Sequence, residues 1–216
     1  MARDEERIAR AQEDPIVGGL PDVPGIVAAM RLTPGLGTHL RALADELLVN
    51  DYPGATIDRA EREMIATAVS ASNDCFFCMD SHAAHATAVL ERAGEPERAA
   101  VLDTIKLGRS DGLDERMAAL LHIARTVAQA PRTLTADDVR AANDAGASDA
   151  DVQLAVLIAG AFAMYNRLVD GFRARTPGSP DAYRSRAAEI AERGYSLPAG
   201  ARTSAPPGVP AGATRP

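Results

Sequence analysis

Apolar positions along the chain recur at intervals of three and four, and turn-forming residues close each run. Thr33-Pro34 reads as a helix start with proline in the first turn, and Leu36, Leu40, Leu43 and Leu47 follow at helical spacing. Asp51-Tyr52-Pro53-Gly54 is a turn, and Thr56 is placed to cap a helix running to about Ser72. Asn73-Asp74 interrupts that helix and offers the cap of the next, which begins near Cys75 and ends at Gly94. Pro96 opens a helix to Leu107, and Gly108 to Gly112 is a loop. Leu113, Met117, Leu120, Leu121, Ala124 and Val127 outline an amphipathic helix stopped before Pro131. Thr135 with Asp138, and Ser148 with Asp151, each pair a capping hydroxyl with a first-turn carboxylate. After Ser148 the apolar residues Leu154, Leu157, Ile158, Ala161, Phe162, Tyr165, Leu168 and Phe172 cover more than one stripe, which predicts a central helix or a contact between subunits. No strand-like alternation stands out. The expectation is all-α: a charged segment over 1–19, one helical domain over 20–175, a helix or extension over 176–195 and a disordered Pro/Gly/Ala-rich tail over 196–216.

Composition supports that reading. Alanine supplies about a fifth of the 216 residues, aromatics only 4%, and tryptophan is absent, so the core rests on small and aliphatic side chains. A net charge of -7 argues against nucleic-acid or anionic-membrane partners. The run Leu154 to Tyr165 is shorter than the roughly 20 apolar residues of a membrane span. The charged opening Met1 to Arg7 does not read as a secretory signal, and the expected location is cytoplasmic.

Two cysteines, Cys75 and Cys78, sit side by side in a chain that otherwise avoids the residue, and in the cytosol that spacing points to redox or metal chemistry. On a helix beginning near Cys75, spacings of four and three bring Cys78, His82 and His85 to one face, with Cys75 at its border. A helix N-terminus and a neighbouring imidazolium both favour thiolate, and a second thiol three residues away can trap a sulfenic acid as a disulfide. Two other readings fit the same residues: buried cysteines packed with Phe76-Phe77, or a Cys/His metal cluster, although four ligands on three turns of one helix surround an ion poorly. His39 and His122 carry no such pattern; His122 shares a polar face with Glu115, Arg125 and Gln129 and should be exposed. Glu63 by itself reads as a surface carboxylate one turn after Arg59.

Together, however, Glu63, Cys75, Cys78 and His82 form the pattern Glu-x11-Cys-x2-Cys-x3-His. This resembles the AhpD-like (alkylhydroperoxidase D-like) members of the carboxymuconolactone decarboxylase superfamily, especially the peroxidase-related branch. The likeness runs over about residues 20–175, and Tyr165-Asn166-Arg167 with Asp170 looks like the Asn-Arg-x-x-Asp helix of that branch. The resemblance implies an all-helical homo-oligomer, a trimer or hexamer, acting as a thiol-dependent peroxidase or disulfide reductase without a cofactor or metal. It makes Cys78 the peroxidatic thiol, Cys75 the resolving thiol, and Glu63 and His82 the proton relay, with His85 as an accessory. A hydroperoxide substrate and a dithiol, thioredoxin-like or lipoyl reductant are implied as partners. Phe77 stands where the founding hydroperoxidases carry a histidine; an apolar ring there makes the pocket drier and favours the neutral thiol. Superfamily decarboxylases do not need the cysteine pair, so lactone decarboxylation is the alternative chemistry, and a non-enzymatic metal-binding or structural oligomer the alternative role.

Overall fold

The computed structural model describes residues 2–11 and 13–196; residues 197–216, nearly all of the expected disordered tail, lie outside the described residues. Among the described residues ten α-helices follow one another: α1 (Ala2–Ala11), α2 (Ile26–Leu32), α3 (Pro34–Leu48), α4 (Arg59–Ser72), α5 (Phe76–Ala93), α6 (Leu102–Lys106), α7 (Glu115–Gln129), α8 (Ala136–Asp144), α9 (Asp149–Gly171) and α10 (Arg184–Arg193). No strand occurs among the described residues. Where one helix from Pro96 to Leu107 was expected, a 3-10 segment (Pro96–Val101) precedes the short α6.

The centre of the bundle is α4. All its residues from Ala60 to Ala71 are buried, and it packs against α5, α7, α9 and α6. Alanine, serine and threonine at half of these positions keep its surface shallow there, so neighbouring helices come close. Periodicity singled out α9 instead. That helix is long and apolar enough by length and composition to cross a membrane, but half of its apolar window is buried in the bundle. Leu157 and Met164, seven residues apart on it, remain 47% and 39% exposed. Leu36 and Leu43 on α3 are exposed as well, so only Leu40 and Leu47 of that expected stripe face the core.

The α4 cap is Asp58, not Thr56. Asp58 Oδ1 accepts from the Glu61 N–H at 2.8 Å, and Glu61 Oε2 accepts from the Asp58 N–H at 2.9 Å, a reciprocal box. Thr56 is drawn elsewhere. Its N–H (2.6 Å) and hydroxyl (2.8 Å), with the N–H of Ile57 (2.9 Å), donate to Asp151 at the start of α9. Asp151 also accepts from Ser148 N–H at 2.9 Å, closing the capping box expected there. One fully buried carboxylate therefore pins the start of α9 to the chain entering α4.

Burial opposes ionisation of Asp151, but these donors outweigh it and hold its pKa at about 2, below the ordinary 3.8. A depressed carboxylate pKa adds stability that is complete above the ordinary value and is lost as pH falls through the folded one. For Asp151→Asn we expect a loss of about 2 kcal/mol at neutral pH. The parent should lose this increment between about pH 4 and pH 2, while the variant shows a flatter acid limb, measured by urea unfolding at a series of pH values.

Candidate active site

The turn between α4 and α5 is built from residues that tolerate it. Asn73 ends α4, Asp74 takes a left-handed conformation (φ 53°), and Cys75 caps α5. The Cys75 N–H donates back to the Ser70 carbonyl at 3.0 Å. Buried Asn166 of α9 locks the turn from outside: its Oδ1 accepts from Asn73 Nδ2 at 2.8 Å and its Nδ2 donates to Ser70 Oγ at 3.0 Å. Four residues further along α9, Asp170 hydrogen-bonds the Cys75 thiol and lies 3.9 Å from the Arg10 guanidinium. The Asn166/Asp170 pair thus holds the turn and its first cysteine.

Cys75 and Cys78 are both buried, reduced, and 3.5 Å apart. Their surroundings differ. Cys78 lines a cavity of about 700 Å³ together with Phe77, Ser81, His82, His85, Phe162 and Tyr183; Cys75 does not reach it. The hydrogen bond to Cys78, and after it burial, push the Cys75 pKa well above the ordinary thiol value. Cys75 therefore holds its proton tightly.

Glu63 is not on the surface. It is fully buried in mid-α4, and α5 carries His82 over it with Nδ1 2.7 Å from Glu63 Oε2. Burial would raise the Glu63 pKa, but the hydrogen bond from His82 and the nearness of His85 hold it below the ordinary glutamate value. As a carboxylate Glu63 can only accept, so the His82 proton on that side sits on Nδ1, and Nε2 has no protein partner among the described residues. His85 Nδ1 lies 3.8 Å from the same oxygen. Burial, countered by Glu63, lowers the His85 pKa and keeps that ring neutral near pH 7.

A further residue, Tyr195, completes the cluster, and sequence reasoning missed it. Tyr195, just after α10, donates its hydroxyl to Glu63 Oε1 at 2.7 Å and lies 3.0 Å from His85 Nδ1, which donates to it. Asp45 of α3 fixes the segment by accepting from the Tyr195 N–H (2.6 Å) and the Ser196 N–H (2.9 Å). Gly194 precedes it at φ 78°, and a Cβ there would sit 2.6 Å from Asp45 Oδ1, so this approach needs glycine. The only hint in the sequence was a Gly-Tyr pair ending a polar helix. A second glycine serves the cavity wall: Gly25 has φ 57°, and a Cβ on it would fall within 2.2 Å of the Phe77 ring.

The ligand atoms of Glu63, His82 and His85 all lie within 4.8 Å of one another, a possible donor set for a cation. In this arrangement the Glu63–His82 separation is that of a direct hydrogen bond, and Tyr195 occupies the other carboxylate oxygen. The remaining histidines are elsewhere: His39 is exposed, and His122 sits on the surface 3.1 Å from Asp138.

Tyr195→Phe would leave Glu63 with one donor fewer and His85 without its acceptor. We expect a destabilisation of about 1–3 kcal/mol in urea unfolding, with helical circular dichroism retained in the folded baseline.

With this geometry in view, comparison with known proteins is informative. Residues 34–125 match the carboxymuconolactone decarboxylase family. No curated protein matches the sequence. Two crystal structures share the fold with a TM-score of 0.61 each: an uncharacterised peroxidase-related protein from Silicibacter sp. TM1040 and one described as an alkylhydroperoxidase AhpD core from Ralstonia eutropha JMP134. The first is 22% identical and covers 81% of this chain and 93% of its own; the second is 24% identical and covers 87% and 90%. Residues 34–125, which match the carboxymuconolactone decarboxylase family, contain Glu63, both cysteines, His82 and His85, and the chain as a whole shares the fold of these two structures.

Proposed function

We propose that this protein is a thiol-dependent peroxidase, able also to act as a disulfide reductase, that works through Cys78 and Cys75. One observation carries the reading: Cys78 opens onto a cavity that it shares with His82, and His82 is held through Nδ1 by a buried, ionised Glu63. That hydrogen bond orients the His82 ring and keeps its proton on Nδ1, leaving Nε2 open to accept another, on a ring that lines the same cavity as the thiol. The first turn of α5 adds the positive end of a helix dipole at Cys78.

The steps balance. The Cys78 thiol gives its proton to His82, and the thiolate attacks the terminal oxygen of a hydroperoxide ROOH. The O–O bond breaks, an S–O bond forms, and the leaving alkoxide recovers the proton as ROH. Cys75, 3.5 Å away and still protonated, then attacks the Cys78 sulfenic acid; the disulfide forms and water leaves. An external dithiol, thioredoxin-like or lipoyl, reduces the disulfide by exchange and is itself oxidised. Phe77, in place of a further proton carrier, leaves His82 and His85 as the cavity's only imidazoles among the described residues. We place the protein in the cytoplasm and read it as a homo-oligomer, because Leu157 and Met164 leave an apolar strip on α9 uncovered in the single chain.

Lactone decarboxylation, the chemistry for which the family is named, would use the cavity but not the sulfur pair, and the presence of Cys78 in its wall favours the thiol reading.

In stopped-flow consumption of hydrogen peroxide or cumene hydroperoxide, Cys78→Ser should lose essentially all single-turnover activity. Cys75→Ser should complete one turnover and stall. Glu63→Gln should slow thiolate oxidation roughly hundredfold, as loss of a positioned base does. Unchanged peroxide consumption in Cys78→Ser removes the assignment. For the oligomer, light scattering should report more than one subunit for the parent and a smaller particle for Leu157→Glu/Met164→Glu.

A further inference from the structure

The cavity above Cys78 has a charge character opposite to that of the chain around it. The protein carries a net charge of -7, yet three arginines from three separate elements, Arg31 of α2, Arg41 of α3 and Arg186 of α10, line this one space. Among the described residues, no aspartate or glutamate lines it. The nearby acids are engaged elsewhere: Asp45, one turn beyond Arg41, accepts from the backbone of Tyr195 and Ser196, and Glu189 pairs with Arg186 at the surface. Arg31 and Arg41 have no carboxylate partner among the described residues, and the one hydrogen bond of Arg41 goes to its own helix, at the Gly37 carbonyl (3.3 Å). Burial, and then the repulsion of Arg186 and Arg31, lower the Arg41 pKa from the ordinary arginine value, so the three guanidiniums feel one another. A second donor is also idle. The Tyr183 hydroxyl is buried without a hydrogen-bond partner among the described residues, and its ring stacks edge-on against Phe77, next to Cys78.

The cavity therefore combines donors that lack acceptors with walls that are largely apolar, from Val23, Ile26, Met30, Phe162 and Ile190. Its volume of about 700 Å³ suits an organic molecule of drug-like size and far exceeds what hydrogen peroxide requires. A buried polar donor is costly while unpaired, and like charges held together favour an anion between them. We propose that this cavity is a subsite for an amphipathic organic carboxylate, whose anionic head is held by Arg31 and Arg41 with Arg186 nearby, and whose acyl chain lies along the apolar wall. Under the thiol-peroxidase reading, on which the substrate identity rests, the ligand is the hydroperoxide of such an acid, with its peroxide group presented to Cys78.

The subsite can be tested without turnover. Isothermal titration calorimetry on the full chain with both thiols reduced would compare octanoate, 1-octanol and acetate. Octanoate should bind at least about tenfold more tightly than either of the others, because it alone has both head and chain. Raising the salt concentration should weaken octanoate but not 1-octanol. Arg41→Gln and Arg31→Gln should each reduce the preference for octanoate over 1-octanol, with helical circular dichroism as the check on folding; Arg31 is exposed, so its variant supplies the answer if Arg41→Gln fails to fold. Equal affinity for octanoate and 1-octanol, equal affinity for octanoate and acetate, or a preference that survives in both variants overturns the subsite. Its failure is separable from that of the peroxidase reading. A protein that binds octanoate selectively but consumes no peroxide keeps the subsite and loses the chemistry, and one that consumes peroxide without the preference does the reverse.

Discussion

The structure is organised around a negative charge in a place where bundles normally put leucine. Glu63 lies in the middle of α4 with no exposed surface, and an unpartnered carboxylate there would cost several kcal/mol. It is tolerated because donors reach it from two distant parts of the chain, His82 on α5 and Tyr195 beyond α10. That requirement fixes the register of α5 on α4 and the path of the C-terminal segment along α3, where Asp45 receives it. The small residues of α4 have the same consequence, since they let α5 approach closely enough for an imidazole to meet the carboxylate directly.

From this constraint the different surroundings of the two sulfurs follow. With α5 set by His82, Cys78 is one turn earlier on the same side and meets the cavity. Cys75 falls on the turn itself, away from the cavity, among Asp170, Arg10 and the Asn166 lock. Its raised pKa is the outcome of that position, with one thiol behind the other and a carboxylate beyond. A neutral thiol held 3.5 Å from its partner suits capture of an oxidised sulfur better than first attack.

How much of this was legible in the sequence depended on the kind of signal. Helix ends written in local chemistry could be read directly: Gly94 takes the left-handed conformation that ends α5, and Ser148 and Thr135 cap as their spacing implies. Thr56 misled because a distant carboxylate, Asp151, competes for its donors, and nothing local announces that. Hydrophobic periodicity favoured α9 over α4 because it registers bulk, while α4 occupies the centre by being thin. Helical arithmetic put Cys78, His82 and His85 on one face, whereas Glu63, on the preceding helix, was singled out only by its place in the Glu-x11-Cys-x2-Cys-x3-His pattern. Tyr195 and the arginines could not be found that way, because their position depends on how α2, α3 and α10 pack rather than on any spacing between residues.

This split has a functional meaning. The segment matched by the family, residues 34–125, contains every residue that the proposed thiol chemistry touches directly. Arg31, Tyr183, Arg186 and Tyr195 lie outside it, on the α2 side and in the C-terminal extension, and they supply much of the cavity's polar lining and the last hydrogen bond to Glu63. Reactive atoms need fixed separations of a few ångströms, which a pair of adjoining helices can maintain by itself. Recognition of a substrate needs only a wall of suitable shape and charge, which peripheral elements can change without disturbing α4 and α5. A fold arranged in this way can keep one reaction and exchange its substrates, and the place to look for the identity of the substrate is the wall, not the sulfurs.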